Sequence, residues 1–203
     1  TMATNSHENH WSSAEEEIME ATYRALLEYG YAELSISRIA DELDKSKAAI
    51  YYHYDTKDDL LTAFLEFAVD RFEDTINTET GDEPAEDLEH VIEKLLPLQP
   101  DEEQQQLRAV LVGLRSQSVT NEVFREQFTQ IDERFAAAFR SIVERGIDEG
   151  TFRDVDSSRI AEHILATVNG AMYGRVTTDR KSAAAAARVS LASYIDSELR
   201  RRS

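Results

Sequence analysis

Residues 35–61, SISRIADELDKSKAAIYYHYDTKDDLL, decide how this chain reads. Ile36, Ile39, Ala40 and Leu43 recur at helical spacing and share one face, so a short helix is expected from about Ile36 to Leu43. Ser35 stands where a helix cap belongs, since its hydroxyl can accept from a backbone N–H three residues on. Leu43-Asp44-Lys45-Ser46 then reads as a tight turn, and Ser46 as the cap of a second short helix from Lys47 to about Tyr52. Thr56 followed by Asp59 is a box-like start for a further helix, expected to run to about Thr75. Two short helices across a tight turn, the second dense in Lys, Tyr and His, have the layout of a helix-turn-helix reader of DNA.

The charge pattern sharpens that reading. The chain has 203 residues and a formal charge of −18, with seventeen arginines and only five lysines against 24 Glu and 16 Asp. Three of the five lysines, Lys45, Lys47 and Lys57, fall within this one window. Residues 35–57 hold Arg38 and those lysines against Asp41, Glu42, Asp44 and Asp55, a balance of zero inside a strongly acidic protein. Two explanations of the acidity compete. One is an acidic protein with no role on DNA; the other is adaptation to a high-salt cytoplasm, where a carboxylate-rich surface stays soluble and concentrated salt screens its self-repulsion.

The short second helix has the side chains the major groove calls for. Ile50 and Tyr54, four apart, are expected to face the core with Ile39, Ala40 and Leu43, which leaves Lys47, Ala48, Ala49, Tyr51, Tyr52 and His53 for the duplex. Lys47 suits a phosphate or a guanine edge, and Lys45 and Ser46 lie in the turn beside it. Ala48 and Ala49 let the helix approach the groove floor, where a methyl can touch thymine. The tyrosine hydroxyls and His53 suit phosphate oxygens. Lys57 at the start of the next helix, and Ser35 at the start of the first, add cation and N–H donors at helix N-termini.

These residues carry a resemblance to the TetR family of transcriptional regulators. It rests on Ile18–Ala21, Leu26 and Gly30-Tyr31, then Ser35, Ile39-Ala40, Ser46-Lys47, Tyr51-Tyr52-His53-Tyr54 and Lys57-Leu60-Leu61, and it covers about residues 14–65. The resemblance implies a three-helix DNA-binding head, a helical ligand-binding and dimerisation body, and repression relieved by a small molecule. It also implies DNA contact at Ser35, Lys47, Tyr51, Tyr52, His53 and Lys57. The chain departs from the family twice: Asp44 stands where the turn usually has Gly, and Ala48 follows the reading-helix lysine where Gly is frequent. Asp tolerates a left-handed backbone better than most residues, so the turn stays feasible.

The rest of the chain reads as all-α. A first helix is expected from Ser12 or Ser13, with Ile18, Ala21, Tyr23, Ala25, Leu26 and Tyr29 on its core face and Gly30 ending it. Asn77–Glu86, with Gly81 and Pro84, breaks the pattern and is the best candidate boundary between the DNA-reading end and the rest. Helices follow at about 85–96, 102–117, 121–148, 156–177 and 182–201. The expected organisation is a DNA-binding domain at 12–57 and a helical body at 58–203, joined by the helix at about 56–75. The last two helices are candidates for a homodimer interface through Ile160, Ile164, Val168, Gly170, Ala171, Met172, Gly174, Ala185, Val189, Ala192, Tyr194, Ile195 and Leu199; an intramolecular core is the competing use of the same residues. Gly146, Gly150, Phe152 and Asn169-Gly170 resemble the body of the family's betaine-regulator-like branch. A ligand pocket would draw on Leu107, Leu111, Leu114, Phe124, Phe128, Phe135 and Phe139, with Arg108, Arg115, Gln117, His163 and Asn169 as polar contacts, but none of these is assigned as a ligand residue.

Several classes are excluded or disfavoured. The chain has no cysteine, hence no disulfide or thiolate metal site. No His/Asp/Glu set has metal-ligand spacing, and neither a phosphate-binding Gly-rich loop nor Gly-x-Ser-x-Gly occurs, so no enzyme, cofactor or metal is expected. No apolar run nears the roughly 20 residues a bilayer span needs, and TMATNSHENHW lacks a signal peptide's basic and apolar regions, so a cytoplasmic protein is expected. The leading expectation is a dimeric repressor bound to a pseudo-palindromic duplex operator and released by an unknown small molecule. The alternative, supported by the acidity, is a helical protein-interaction module that has lost DNA binding.

Overall fold

The computed structural model describes residues 11–79, 81, 83–180 and 182–201, the side chains of 76–79 excepted. The N-terminal arm with His7 and His10, and Thr80 and Asp82 of the expected break, lie outside the described residues. Among the described residues the fold is all-α. It has nine α-helices: α1 Ser13–Glu33, α2 Ile36–Leu43, α3 Lys47–Tyr51, α4 Lys57–Glu79, α5 Pro84–Leu95, α6 Glu102–Gln117, α7 Glu122–Asp148, α8 Ser157–Thr177 and α9 Ser182–Tyr194. They form two compact units that meet within α4, the first ending at Phe67 and the second starting at Ala68. The division therefore falls inside a helix and not at the Gly81/Pro84 break. The reason is visible in burial: Leu60, Leu61, Phe64, Leu65 and Phe67 on the early turns of α4 belong to the core of the first unit.

In the first unit α1 is started by Ser12, whose Oγ accepts from the Glu15 N–H (3.3 Å) while Glu15 Oε2 accepts from the Ser12 N–H (2.9 Å). Regular helix stops at Gly30, where φ of 67° suits glycine, and a last turn leads to Leu34. Ile18, Ala21, Ala25 and Leu26 are buried as expected, but Tyr23 and Tyr29 are only half-buried. Met19 and Thr22 take the inner places instead. A buried hydroxyl needs a partner, and Thr22 Oγ1 donates to the Ile18 carbonyl at 2.8 Å. The Tyr23 ring closes the edge of this core by stacking on Phe64, with centroids 6.4 Å apart.

The second unit buries Leu88, Ile92, Phe139, Val143, Ile160, Ile164, Leu191 and Ile195 in one cluster. Arg134 of α7 bonds both Glu73 (3.0 Å from Nε) and Asp70 (2.7 Å) of α4, and Phe135 meets Phe72 edge-on at 5.6 Å. The chain end departs from the expected single helix over 182–201. After Tyr194 it widens into a π-helical turn, Ile195–Leu199. The tail then pairs with the loop before α8: Arg153 N–H donates to Leu199 O and Arg201 N–H to Thr151 O, both at 2.9 Å, beside an isolated bridge between Phe152 and Arg200. Gly146 makes room for this arrangement. A Cβ there would lie 2.2 Å from the Phe152 ring.

The candidate interface residues of the last two helices divide. Ile160, Ile164, Val168, Ala171, Ile195 and Leu199 are buried within their own unit, so for them the intramolecular core is the use observed. Gly170 and Val189 are exposed, and Met172, Gly174, Ala185, Ala192 and Tyr194 are half-buried. Of the pocket candidates, Leu114, Phe124, Phe128 and Phe139 are buried, and Leu107, Leu111, Phe135, Gln117 and Asn169 are half-buried. Arg115 is engaged with Asp132, and its guanidinium lies 5.2 Å from the Phe128 ring centre. Arg108 donates to the carbonyls of Gln104, Lys94 and Leu95, and the exposed His163 meets Tyr194 edge-on.

Candidate nucleic-acid interface

The helix-turn-helix is built by local hydrogen bonds and one unusual backbone conformation. Ser35 Oγ accepts from the Arg38 N–H at 3.3 Å, which starts α2. Asp44 ends it with φ 52° and ψ 37°, and the Lys45 N–H donates to Ala40 O at 3.2 Å. Asp44 thus holds the left-handed position that glycine more often fills. Ser46 occupies the cap position of α3, but its hydroxyl makes no capping bond, contrary to the sequence expectation. The Ala49 N–H bonds the Ser46 carbonyl instead (3.0 Å), so the backbone alone begins this five-residue helix.

Ile50, with no exposed surface, and Tyr54, at 9%, fix the inner side of α3 against Ile39 and Ala40. Leu43, expected beside them, is half-buried. The Tyr54 hydroxyl is buried without a partner, and desolvation pushes its pKa up to about 12. The other side of α3 is open: Lys47 and Ala48 are exposed, Ala49 is half-buried, and Tyr51 and Tyr52 are 50% and 86% exposed. Tyr52 is held at this angle by the His53 ring, which it meets edge-on at 5.1 Å. With 86% of its surface in water, Tyr52 has most of its ring and its hydroxyl open to solvent.

The cations of the motif differ in their freedom. Lys45 is exposed but ion-paired with Glu17 of α1. Lys57 donates to the Leu34 carbonyl at 3.3 Å and lies 5.0 Å from the Tyr31 ring centre. Arg38 bonds Glu33 (3.0 Å) and stacks 4.2 Å over Tyr29. Lys47 has no such partner among the described residues. Glu17 and Tyr31 were missed in the sequence because each meets its lysine across a distance in the chain that carries no periodic signal. The N-terminus of α4 is closed by the expected box: Asp59 N–H bonds Thr56 Oγ1 and Thr56 N–H bonds Asp59 Oδ2, both at 3.0 Å. Asp58 and Asp59 in its first turn compete there with any incoming anion. Lys45, Ser46, Lys47, Ala48, Tyr51 and Tyr52 thus lie exposed along the turn and α3, while Ser35, Ala49, His53 and Lys57 are half-buried around them.

A three-helix head presenting one such helix, continued by a helical body, is the build of a helix-turn-helix transcriptional regulator. Residues 18–64 match the family model for bacterial regulatory proteins of the tetR family, and residues 84–200 match that of the BetI-type transcriptional repressor C-terminal domain. The chain belongs to the TetR family and is a DNA-binding transcriptional regulator; the relatives are transcription factors, not enzymes. It is similar to a TetR transcription regulator from Haloarcula marismortui, with 41% identity, TM-score 0.83, and coverage of 94% of this chain and all of that one. A transcriptional regulator from Saccharomonospora viridis in complex with choline is 26% identical with TM-score 0.78, over 95% of this chain and all of that one. The transcriptional repressor AcnR of Corynebacterium glutamicum is 23% identical over 82% of this chain and 84% of its own length. Among the described residues no helix is long and apolar enough to cross a membrane, and no group of three His, Asp or Glu could hold a metal ion.

Proposed function

We propose that this regulator is a homodimeric repressor that reads a pseudo-palindromic operator with α3 and is released by a small molecule bound in the helical body. The observation that carries the reading is the 86% exposure of Tyr52 beside the exposed, unpaired Lys47, on a helix whose opposite side is locked by Ile50. Lys45, Ser46, Lys47, Ala48, Ala49, Tyr51, Tyr52 and His53, with Ser35 and Lys57 at the flanking helix starts, are the proposed contacts. A dimer places two such helices about one turn of DNA, or slightly more, apart, which asks for a two-fold site.

The second copy is proposed to meet the outer faces of α8 and α9. Gly170 and Gly174 have nothing within 4 Å of where a Cβ would stand, so no neighbour in the protomer requires glycine there. Glycine costs roughly 1 kcal/mol in a helix interior, and close approach of another helix would offset that. Val189 of α9 is likewise uncovered, at 63% exposure. The Saccharomonospora structure contains choline, which makes a quaternary ammonium the first ligand to test. The chain is proposed to act in a cytoplasm of high ionic strength, in keeping with its charge of −18 and with the halophilic source of the Haloarcula structure.

The test is selection of bound duplexes from a random pool in molar KCl, using the intact chain and the Lys47→Ala/Tyr52→Ala variant. A two-fold motif recovered by the first and lost by the second is expected. Recovery of nothing at any salt concentration would move the chain to the interaction-module reading. Choline is then added to the recovered complex, and release is scored.

A further inference from the structure

The head that meets DNA is itself a polyanion. Residues 11–67 contain five basic residues, Arg24, Arg38, Lys45, Lys47 and Lys57, against thirteen carboxylates, a balance of −8. Three of the five cations are already spent inside the unit: Arg24 on Glu42, Arg38 on Glu33 and Lys45 on Glu17. That leaves Lys47, and Lys57 held to an uncharged carbonyl and ring. Two carboxylates bracket the reading helix itself. Asp44 lies three residues before Lys47 and Asp55 four after Tyr51, and both are exposed.

An ordinary regulator gains affinity by releasing counterions from the phosphates, with a slope of about −0.9 per phosphate neutralised in log K against log salt. Two lysines per head without a carboxylate partner, four per dimer, bound that release at a slope of roughly −4. The opposing effect draws on the whole head, whose thirteen carboxylates outnumber its five cations. A five-residue helix is only about 7.5 Å long, so a duplex in contact with α3 comes within about 10 Å, the Debye length at 0.1 M salt, of Asp44 and Asp55. At 1 M the Debye length is about 3 Å, and that repulsion is largely screened. Cations that gather between two approaching polyanions are taken up by the complex, and not released from it.

Resting on the DNA-binding reading above, we infer that operator binding by this chain proceeds with net uptake of cations, so that its affinity rises with KCl across the range in which an ordinary regulator's affinity falls. No single carboxylate is a cation site in this account; the sign follows from the charge balance of the head. Asp44 and Asp55 are the carboxylates whose removal should change it most.

The experiment is fluorescence anisotropy of the full chain with the selected duplex, from tenths of molar to several molar KCl, over the range in which circular dichroism shows a constant fold. A rising plot of log K against log [KCl] is expected. The Asp44→Asn/Asp55→Asn variant should turn the slope more negative by about one or more per head; Asn accepts the left-handed conformation of Asp44, so the turn is kept. A flat or falling plot for the unaltered chain overturns the inference. So does a rising plot that the double variant leaves unmoved, since a general effect of salt on hydration would act on both alike. Absence of binding at every salt concentration is a separate result: it removes the DNA-binding reading and this inference with it.

Discussion

Lys45 in the turn between α2 and α3 is ion-paired with Glu17 of α1, 28 residues earlier in the chain. Both side chains are about half exposed, so the pair contributes little to stability, of the order of 0–1 kcal/mol. For the proposed contacts its effect is larger, because a lysine neutralised inside the head has less charge to offer a phosphate. Lys47→Ala is therefore expected to weaken operator binding by about tenfold, roughly 1.4 kcal/mol, and Lys45→Ala by clearly less. Anisotropy titrations at one fixed molar KCl concentration compare the two. Equal losses would mean that Lys45 leaves Glu17 for DNA.

Asp44 tests the turn. At φ 52° a β-branched side chain is strained, so Asp44→Val should destabilise the chain by about 1–2 kcal/mol. Asp44→Gly should be tolerated, since glycine adopts this conformation without a steric penalty. Urea unfolding of both variants in the same salt measures the difference. A harmless valine would show that the turn can take another backbone path.

Gly146 tests the joint between α7 and the chain end. Its Cβ would meet the buried Phe152 ring at 2.2 Å, so Gly146→Ala should cost about 1–3 kcal/mol through forced repacking. Combining it with Phe152→Leu should give a loss smaller than the sum of the two single losses, because the shorter side chain removes the clash. Thermal unfolding of the four proteins closes the cycle, and simple additivity would refute the steric account.

Tyr54 gives a pH dependence with a definite sign. Burial raises its pKa from 10.0 to about 12, so the neutral phenol is favoured in the folded chain. The resulting stability is complete below pH 10, where the phenol is neutral in both states, and is lost between pH 10 and pH 12 as the unfolded chain ionises first. Tyr54→Phe removes the titrating group and an unpartnered buried hydroxyl together. The variant's melting temperature should fall less steeply over that interval. Parallel profiles would assign the alkaline loss to other groups.

Features governed by neighbours in the chain were the legible ones. Ser12 with Glu15, Ser35, and Thr56 with Asp59 form caps within three residues, and the glycine break at Gly30 is equally local. The inner face of α3 followed from the spacing of Ile50 and Tyr54. What stayed hidden depends on contacts between distant segments. Nothing near Lys45 announces Glu17, and nothing in the last helix announces that Leu199 and Arg201 will hydrogen-bond the loop at 151–153 and widen the turn before them. Tyr23 and Tyr29 have core spacing, but their polar tips keep them at the border while Met19 and Thr22 go inside. Ile160 and Ile164 illustrate a further limit: an apolar stripe on one chain reads the same whether its own neighbours or a second copy cover it.

The unequal engagement of the three clustered lysines has a practical consequence. Arginine does not react with reagents that acylate primary amines, so in this arginine-rich chain such a reagent has few side chains to modify, and most of them lie on the DNA-reading motif. Among the described lysines of the motif, Lys47 is exposed and unpaired, whereas the ammonium groups of Lys45 and Lys57 are occupied by Glu17 and by Leu34. On the proposed contacts, brief acetylation followed by mass spectrometry becomes a footprint of α3, in which protection at one residue reports a bound duplex without any engineered label.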